Sequence, residues 1–168
     1  MRQFNPNDLD SVIEINRTCL PENYAGFFFI DTYRSCPTAF IVAEVGARLV
    51  GYIMCRIEHG FSDIRRLKFV RKGHIISVAV IPDYRRAGIA SELVKQALGA
   101  LRELNAEECY LEVRTSNDTA QRLYEKLGFA AGRRVPHYYA DGAEALAMVI
   151  PLRKEDAGSI QDTERSFA

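Results

Sequence analysis

At 168 residues the chain has the size of one domain and enough length to bury a real core. Lys and Arg total 22 against 22 Asp and Glu, so the formal net charge of +0 does not imply a large nucleic-acid surface, and any phosphate recognition is expected to be local. The N-terminus turns polar at once and no apolar run is long enough to span a bilayer, so the expectation is a cytoplasmic protein with neither membrane nor DNA as partner.

Arg2 to Phe4 reads as a short strand, stopped by Asn5-Pro6, which then start a helix as N-cap and first residue. Leu9, Val12, Ile13 and Cys19/Leu20 keep helical spacing until Pro21 forces the chain out of it. A second short helix carries Phe27, Phe28, Ile30 and Tyr33. Residues 39–45 and 49–58 are rich in β-branched and aromatic side chains, and Gly46-Ala47 between them is short enough for a hairpin. Residues 59–72, with Arg65, Arg66, Lys68, Arg71 and Lys72, read as a basic loop between strands; a solvated loop face and a contact with a ribosome or acidic partner are both open. Cys19, Cys36, Cys55 and Cys109 lie far apart without a Cys/His spacing suited to zinc, so they read as reduced thiols in or near the core, and no metal is expected.

Residues 74–90, HIISVAVIPDYRRAGIA, are an apolar run, a Pro-Asp break, two arginines and then Gly88 before an apolar helical pattern. A strand feeding such a turn and a helix leaves unpaired N–H groups at the helix start, a ready site for a phosphate. Neither a GxGxxG fingerprint nor a P-loop lysine is present, so a dinucleotide or nucleoside triphosphate is not indicated. The helix that follows is amphipathic through Ile89, Leu93, Ala97 and Leu101. Residues 109–113 are the next strand, a helix from Asn117 is closed by Gly128, and residues 129–135 and 146–152 pair as the last two strands. From Arg153 the chain is polar and mixed in charge, and disorder is expected over 153–168 beyond a single domain at 1–152.

The turn Arg85-Arg86-x-Gly88-x-Ala90 resembles the pyrophosphate-binding turn of the GCN5-related N-acetyltransferase (GNAT) superfamily, and the order of elements is that of the superfamily. The resemblance implies an α/β fold, a mixed and mostly antiparallel central sheet of about seven strands flanked by about four helices. It also implies acetyl-CoA as co-substrate, bound by the backbone of Val78, Ala79 and Val80 and the turn Arg85, Arg86, Ala87, Gly88, Ile89 and Ala90. Asn117 and Tyr124 look like the superfamily's second coenzyme segment, with the asparagine on the pantetheine arm and the tyrosine hydroxyl toward the thioester sulfur. Leu20-Pro21-Glu22-Asn23-Tyr24 and Tyr138-Tyr139-Ala140-Asp141-Gly142 are similar to segments of protein N-terminal acetyltransferases: the catalytic subunit of the eukaryotic Ser/Ala complex, its archaeal relatives and, more distantly, the RimI-like ribosomal-protein alanine acetyltransferases. Glu112 departs from the eukaryotic pattern, which has His there, and matches the archaeal type.

The implied reaction transfers acetyl to the α-amine of a protein chain. An α-amino pKa of about 7.7 to 8.0 leaves a substantial neutral fraction at pH 7, so modest base assistance suffices. Glu22 and His74 are the candidate bases, directly or through water, and Tyr124 the candidate acid for the leaving thiolate. A backbone N–H near 78–80 would serve the oxyanion if the strand bulges there. Leu20, Pro21, Glu22, Tyr24, Tyr138 and Tyr139 are the candidate peptide-binding residues, suited to small uncharged first residues such as Ser or Ala. The expected partners are protein N-termini, with the chain a monomer or weak oligomer. Two other readings stay open: acetylation of lysine or a small amine, which demands a stronger base, and a coenzyme-binding or ribosome-associated module without turnover.

Overall fold

The computed structural model describes residues 1–153, so the expected polar tail lies, apart from Arg153, outside the described residues. Seven strands and four α-helices alternate along it: β1 (Arg2–Gln3), α1 (Leu9–Cys19), α2 (Gly26–Ser35), β2 (Phe40–Val45), β3 (Arg48–Phe61), β4 (Phe69–Val80), α3 (Ile89–Glu103), β5 (Glu108–Arg114), α4 (Asp118–Lys126), β6 (Ala130–Val135) and β7 (Ala145–Pro151). The strands hydrogen-bond in the order β1-β2-β3-β4-β5-β7-β6. The β4–β5 pair is parallel, whereas β1–β2, β2–β3, β5–β7 and β6–β7 are antiparallel, which is the mixed α/β arrangement the sequence led us to expect. The described residues group into two compact units, Met1–Ile57 with Ile75–Glu103, and Glu58–His74 with the chain from Leu104 onward.

In the first unit, Asn5 caps a short 3-10 turn (Pro6–Asp8) ahead of α1, its side chain taking the Asn7 N–H while Asp8 takes the Asn5 N–H. Arg2 grips both Asp8 oxygens at 2.7 and 2.9 Å and thereby holds that carboxyl below its usual range. α1 buries Val12 and Ile15 and stops at Leu20, which is extended ahead of Pro21. α2 buries Phe29 rather than Phe27, which is 78 % exposed. α3 turns Leu93, Val94, Ala97 and Leu101 inward and packs on β2. Gly46, at φ 61°, makes the tight β2–β3 turn.

The second unit is built on β5, whose alternation is complete: Cys109, Leu111 and Val113 are buried on one face while Glu108, Tyr110 and Glu112 share the other. β4 pairs with it through Lys72↔Glu108, Gly73↔Cys109 and His74↔Tyr110. α4 is capped by Asn117, whose side chain accepts the Ala120 N–H at 3.1 Å, so the helix starts one residue later than the sequence pattern placed it.

Residues 59–72 are not the basic loop expected from the sequence. β3 runs to Phe61 and β4 starts at Phe69, leaving 62–68 as the tip of a long hairpin. Three of the five cations are paired with carboxylates. Arg65 and Lys68 bind Glu107 at 2.7 and 3.2 Å, and Lys72 binds Asp63 and lies 3.5 Å from Glu108. Glu108, 1 % exposed, also accepts from Ser62 and from the Asp63 N–H, so the tip is fastened to β5 by a buried carboxylate. Beside the exposed Arg66 and Lys68, the hairpin turns three large apolar side chains outward: Phe61, Leu67 and Phe69 are 66, 84 and 62 % exposed.

β3 lies so close to β4 that a Cβ on Gly51 would sit 2.8 Å from the Ala79 carbonyl and 3.1 Å from the Val80 side chain. Gly51→Ala should therefore displace the end of β4 and cost on the order of 1–3 kcal/mol, read as a lower midpoint in urea with an unchanged slope.

Candidate active site

In the first unit, β4 delivers Val78, Ala79 and Val80 to a short 3-10 turn, Pro82–Tyr84, and then to the arginine turn. Arg86 and Gly88 both hold left-handed backbone, at φ 65° and 79°. A Cβ on Gly88 would meet nothing within 4 Å, so glycine is needed there for its conformation rather than for space. The first helical bond of α3 runs from the Glu92 N–H to the Gly88 carbonyl at 3.0 Å. The N–H groups just ahead of it, on Ile89 and Ala90 among others, have no carbonyl one turn back within the helix and stay available as donors at the helix start. Arg85 is not simply a solvated partner for a phosphate, because its Nε donates to the Val80 carbonyl at 2.8 Å and braces the turn against the strand.

The same unit carries the loop 20–24. Its start is tied to β4 by the Cys19 thiol, which donates to the Val80 carbonyl at 3.5 Å, and its middle by Asn16, which donates to the Glu22 carbonyl at 3.2 Å. Tyr24 stacks on Phe28 at 4.7 Å and meets Phe29 edge-on. Asn16 also donates to the Tyr52 hydroxyl at 2.9 Å, and Tyr52 is bonded to Ser77 Oγ at 2.7 Å. Burial pushes the Tyr52 phenol up to about 12, although the Ser77 and Asn16 hydrogen bonds work the other way.

In the second unit, His74 lies between two carboxylates, with Nδ1 3.1 Å from Glu58 and Nε2 2.8 Å from Glu112. Its ring stacks on Tyr110 at 4.3 Å, and Tyr110 in turn donates to Glu58 and takes the Lys72 ammonium over its face at 4.4 Å. His74 and Glu112 are thus one hydrogen-bonded unit, in which the carboxylates govern which ring nitrogen carries hydrogen. Tyr124 is 7 % exposed on α4, edge-on to Phe129. Asn117 already spends a side-chain lone pair on its helix. Tyr138, 44 % exposed, and Tyr139 meet edge-on at 5.0 Å in the β6–β7 loop. Arg114 locks that loop, stacking over Tyr139 at 4.0 Å and binding Asp141 at 2.8 Å. The Ala143 N–H, with Arg114 second, holds the Asp141 carboxyl below its usual range.

Glu22, Leu20, Pro21 and Tyr24 therefore share a unit with residues 78–80 and 85–90, while His74, Asn117, Tyr124, Tyr138 and Tyr139 share the other. Sequence reasoning missed Asn16, Tyr52 and Ser77, and it missed Glu58 and Tyr110 beside His74. The strict polar alternation Glu108-x-Tyr110-x-Glu112 was the available signal for the last cluster. Among the described residues, no group of three or more His, Cys, Asp or Glu could hold a metal, and no helix is long and apolar enough to cross a membrane.

Residues 9–129 match the acetyltransferase (GNAT) family. The chain belongs to that family. It is 49 % identical over 154 residues to the N-alpha-acetyltransferase of Sulfurisphaera tokodaii, covering 90 % of this chain and 92 % of the relative. Among solved structures it is similar to Ard1 from Thermoplasma volcanium, with TM-score 0.79 and 34 % identity over 91 % of this chain and 97 % of that one. It is also similar to Chaetomium thermophilum Naa20 in complex with a bisubstrate analogue, with TM-score 0.81 and 31 % identity over 94 and 88 % of the two chains. This GNAT protein is accordingly an acyltransferase with acetyl-CoA as co-substrate.

Because the Tyr52 phenol ionises near pH 12 when folded and near 10 when unfolded, its contribution to stability is complete below pH 10 and is lost as pH rises toward 12. The loss should amount to roughly 3 kcal/mol, and Tyr52→Phe should lack it when denaturant midpoints are followed from pH 9 to 12.

Proposed function

We propose that this acetyltransferase acts in the cytoplasm on the α-amino groups of protein N-termini, preferring small uncharged first residues such as Ser and Ala. The observation that carries the reading is kinship with a named N-alpha-acetyltransferase over nine-tenths of the chain. The residues supply chemistry to match. The left-handed turn at Arg86 and Gly88 with the start of α3 offers N–H groups to the pyrophosphate of acetyl-CoA, and the backbone of 78–80 offers hydrogen bonds to its pantetheine amides. Asn117 and Tyr124 complete the coenzyme-binding set.

The amine needs to lose one proton while the new N–C bond forms and the C–S bond breaks. Glu22 and the His74–Glu112 pair are the bases, acting directly or through water, and Tyr124 returns a proton to the departing thiolate. The demand on the base is small, since a substantial fraction of an α-amine is neutral at pH 7, whereas lysine with a pKa of about 10.4 is not. Leu20, Pro21 and Tyr24, with Tyr138 and Tyr139, hold the first residues of the peptide, and the Glu22 carboxylate disfavours an acidic first residue. A ribosome contact through the β3–β4 hairpin would use Arg66 and the exposed Phe61, Leu67 and Phe69 rather than the paired cations.

Thiol release measured with Ser-, Ala-, Met-Leu- and Asp-starting peptides should rank Ser and Ala above Asp; a preference for Asp would sink the assignment of the Glu22 loop. Tyr124→Phe should lower kcat on the order of 10²-fold while leaving the KM for acetyl-CoA near the parent value. Equal losses in both would remove Tyr124 as the acid.

A further inference from the structure

We infer that Asn16 is the residue that sets the position of the Glu22 loop, and that it does so at no gain in stability. This rests on the role of Glu22 proposed above. Asn16 sits on the last turns of α1, 1 % exposed, and its amide nitrogen has two hydrogens. One goes to the Glu22 carbonyl at 3.2 Å and the other to the Tyr52 hydroxyl at 2.9 Å. A backbone carbonyl only accepts, so the amide orientation is fixed by the Glu22 contact. Tyr52, accepting from Asn16, is also hydrogen-bonded to Ser77 Oγ at 2.7 Å, where either hydroxyl can donate. The result is one hydrogen-bonded chain from the loop backbone through α1 to β3 and β4.

Two features separate a positioning role from a merely structural one. The Asn16 Oδ1 atom is buried with no hydrogen-bond partner, which opposes folding. An apolar residue of similar size would remove that liability, and the Glu22 carbonyl, on a part-exposed residue, could turn to water. Asparagine at this position therefore disfavours folding locally, while it ties the residue that carries the proposed base to the sheet. The second feature is where this anchor acts. The 20–24 segment has no helix or strand of its own, and Asn16 holds the backbone of Glu22 itself, whereas the Cys19 thiol bond to Val80 lies at the start of the segment and the Tyr24 ring contacts at its end. A base held by a loop works only in the geometry its anchors impose, and a shift of about 1 Å at such a group can cost ~10²-fold in rate.

The test uses the full chain and four variants: Asn16→Leu, Asn16→Ala in case leucine does not fit, Glu22→Gln, and the double Asn16→Leu/Glu22→Gln. Melting temperature, KM for acetyl-CoA, and kcat and KM for a Ser-starting peptide are measured for each. We expect Asn16→Leu to keep or raise the melting temperature and to leave the KM for acetyl-CoA unchanged. Its kcat should drop ~10- to 100-fold, and the double variant should be little worse than Glu22→Gln alone, because both changes disable the same group. Hydrogen exchange over 20–24 should quicken in Asn16→Leu. An impaired Glu22→Gln beside an Asn16 variant of parental activity overturns the role of Asn16 only. Activity losses that multiply in the double variant, or that appear only together with a lower melting temperature, overturn it as well. Parental activity in Glu22→Gln overturns the assignment of Glu22 itself, and the inference with it.

Discussion

Strand β4 buries three polar side chains, Lys72, His74 and Ser77, and much of the arrangement of residues around it follows from the need to satisfy them. A buried polar or charged group without partners costs several kcal/mol, so each of the three draws other elements toward it. Lys72 takes Asp63 from the hairpin tip and lies by Glu108 of β5; His74 takes Glu58 and Glu112; Ser77 takes Tyr52. A strand with isoleucine or valine at those positions would form as readily. It would not draw in the same groups.

The partners of His74 illustrate the consequence for chemistry. An isolated histidine on a strand is most often a satisfied hydrogen-bonding group, and His74 has a carboxylate within hydrogen-bond distance of each nitrogen. The same arrangement joins it to a carboxylate at 2.8 Å and stacks it on a ring, which fixes its orientation. Held this way, the ring is fixed by Glu112 on one side and by Glu58 and Tyr110 on the other. The loops proposed to hold peptide are held by the same means. Arg114 clamps the Tyr138–Tyr139 loop through a stacked ring and Asp141, and Asn16 clamps 20–24 through one backbone carbonyl. In both loops the fixing is done by a few long-range side-chain bonds rather than by local backbone structure.

The hairpin between β3 and β4 carried the largest misreading, and its cause is physical. Five basic residues within 65–72 look like a solvated loop, or one facing a ribosome or an acidic partner, when counted along the chain. Their acidic partners Glu107 and Glu108 lie some forty residues away, and charge counted in a window cannot see them. With those partners in place the hairpin extends, Arg65, Lys68 and Lys72 are paired, and Phe61, Leu67 and Phe69 are left outside.

What the sequence determined by itself was whatever is set within one element or its immediate neighbours. The order of strands and helices, the Asn5-Pro6 start, the break at Pro21, the Gly46 turn and the strand-turn-helix around Arg85, Arg86 and Gly88 are all local, because steric limits and hydrogen-bond periodicity act over a few residues. The family resemblance was legible for the same reason, since its motifs are short and contiguous. Tertiary structure alone decided which side chains meet: Asn16 with Tyr52 and Ser77, and His74 with Glu58 and Glu112. Those contacts join residues 16 to 38 positions apart, and strand register, which no single segment encodes, selects them.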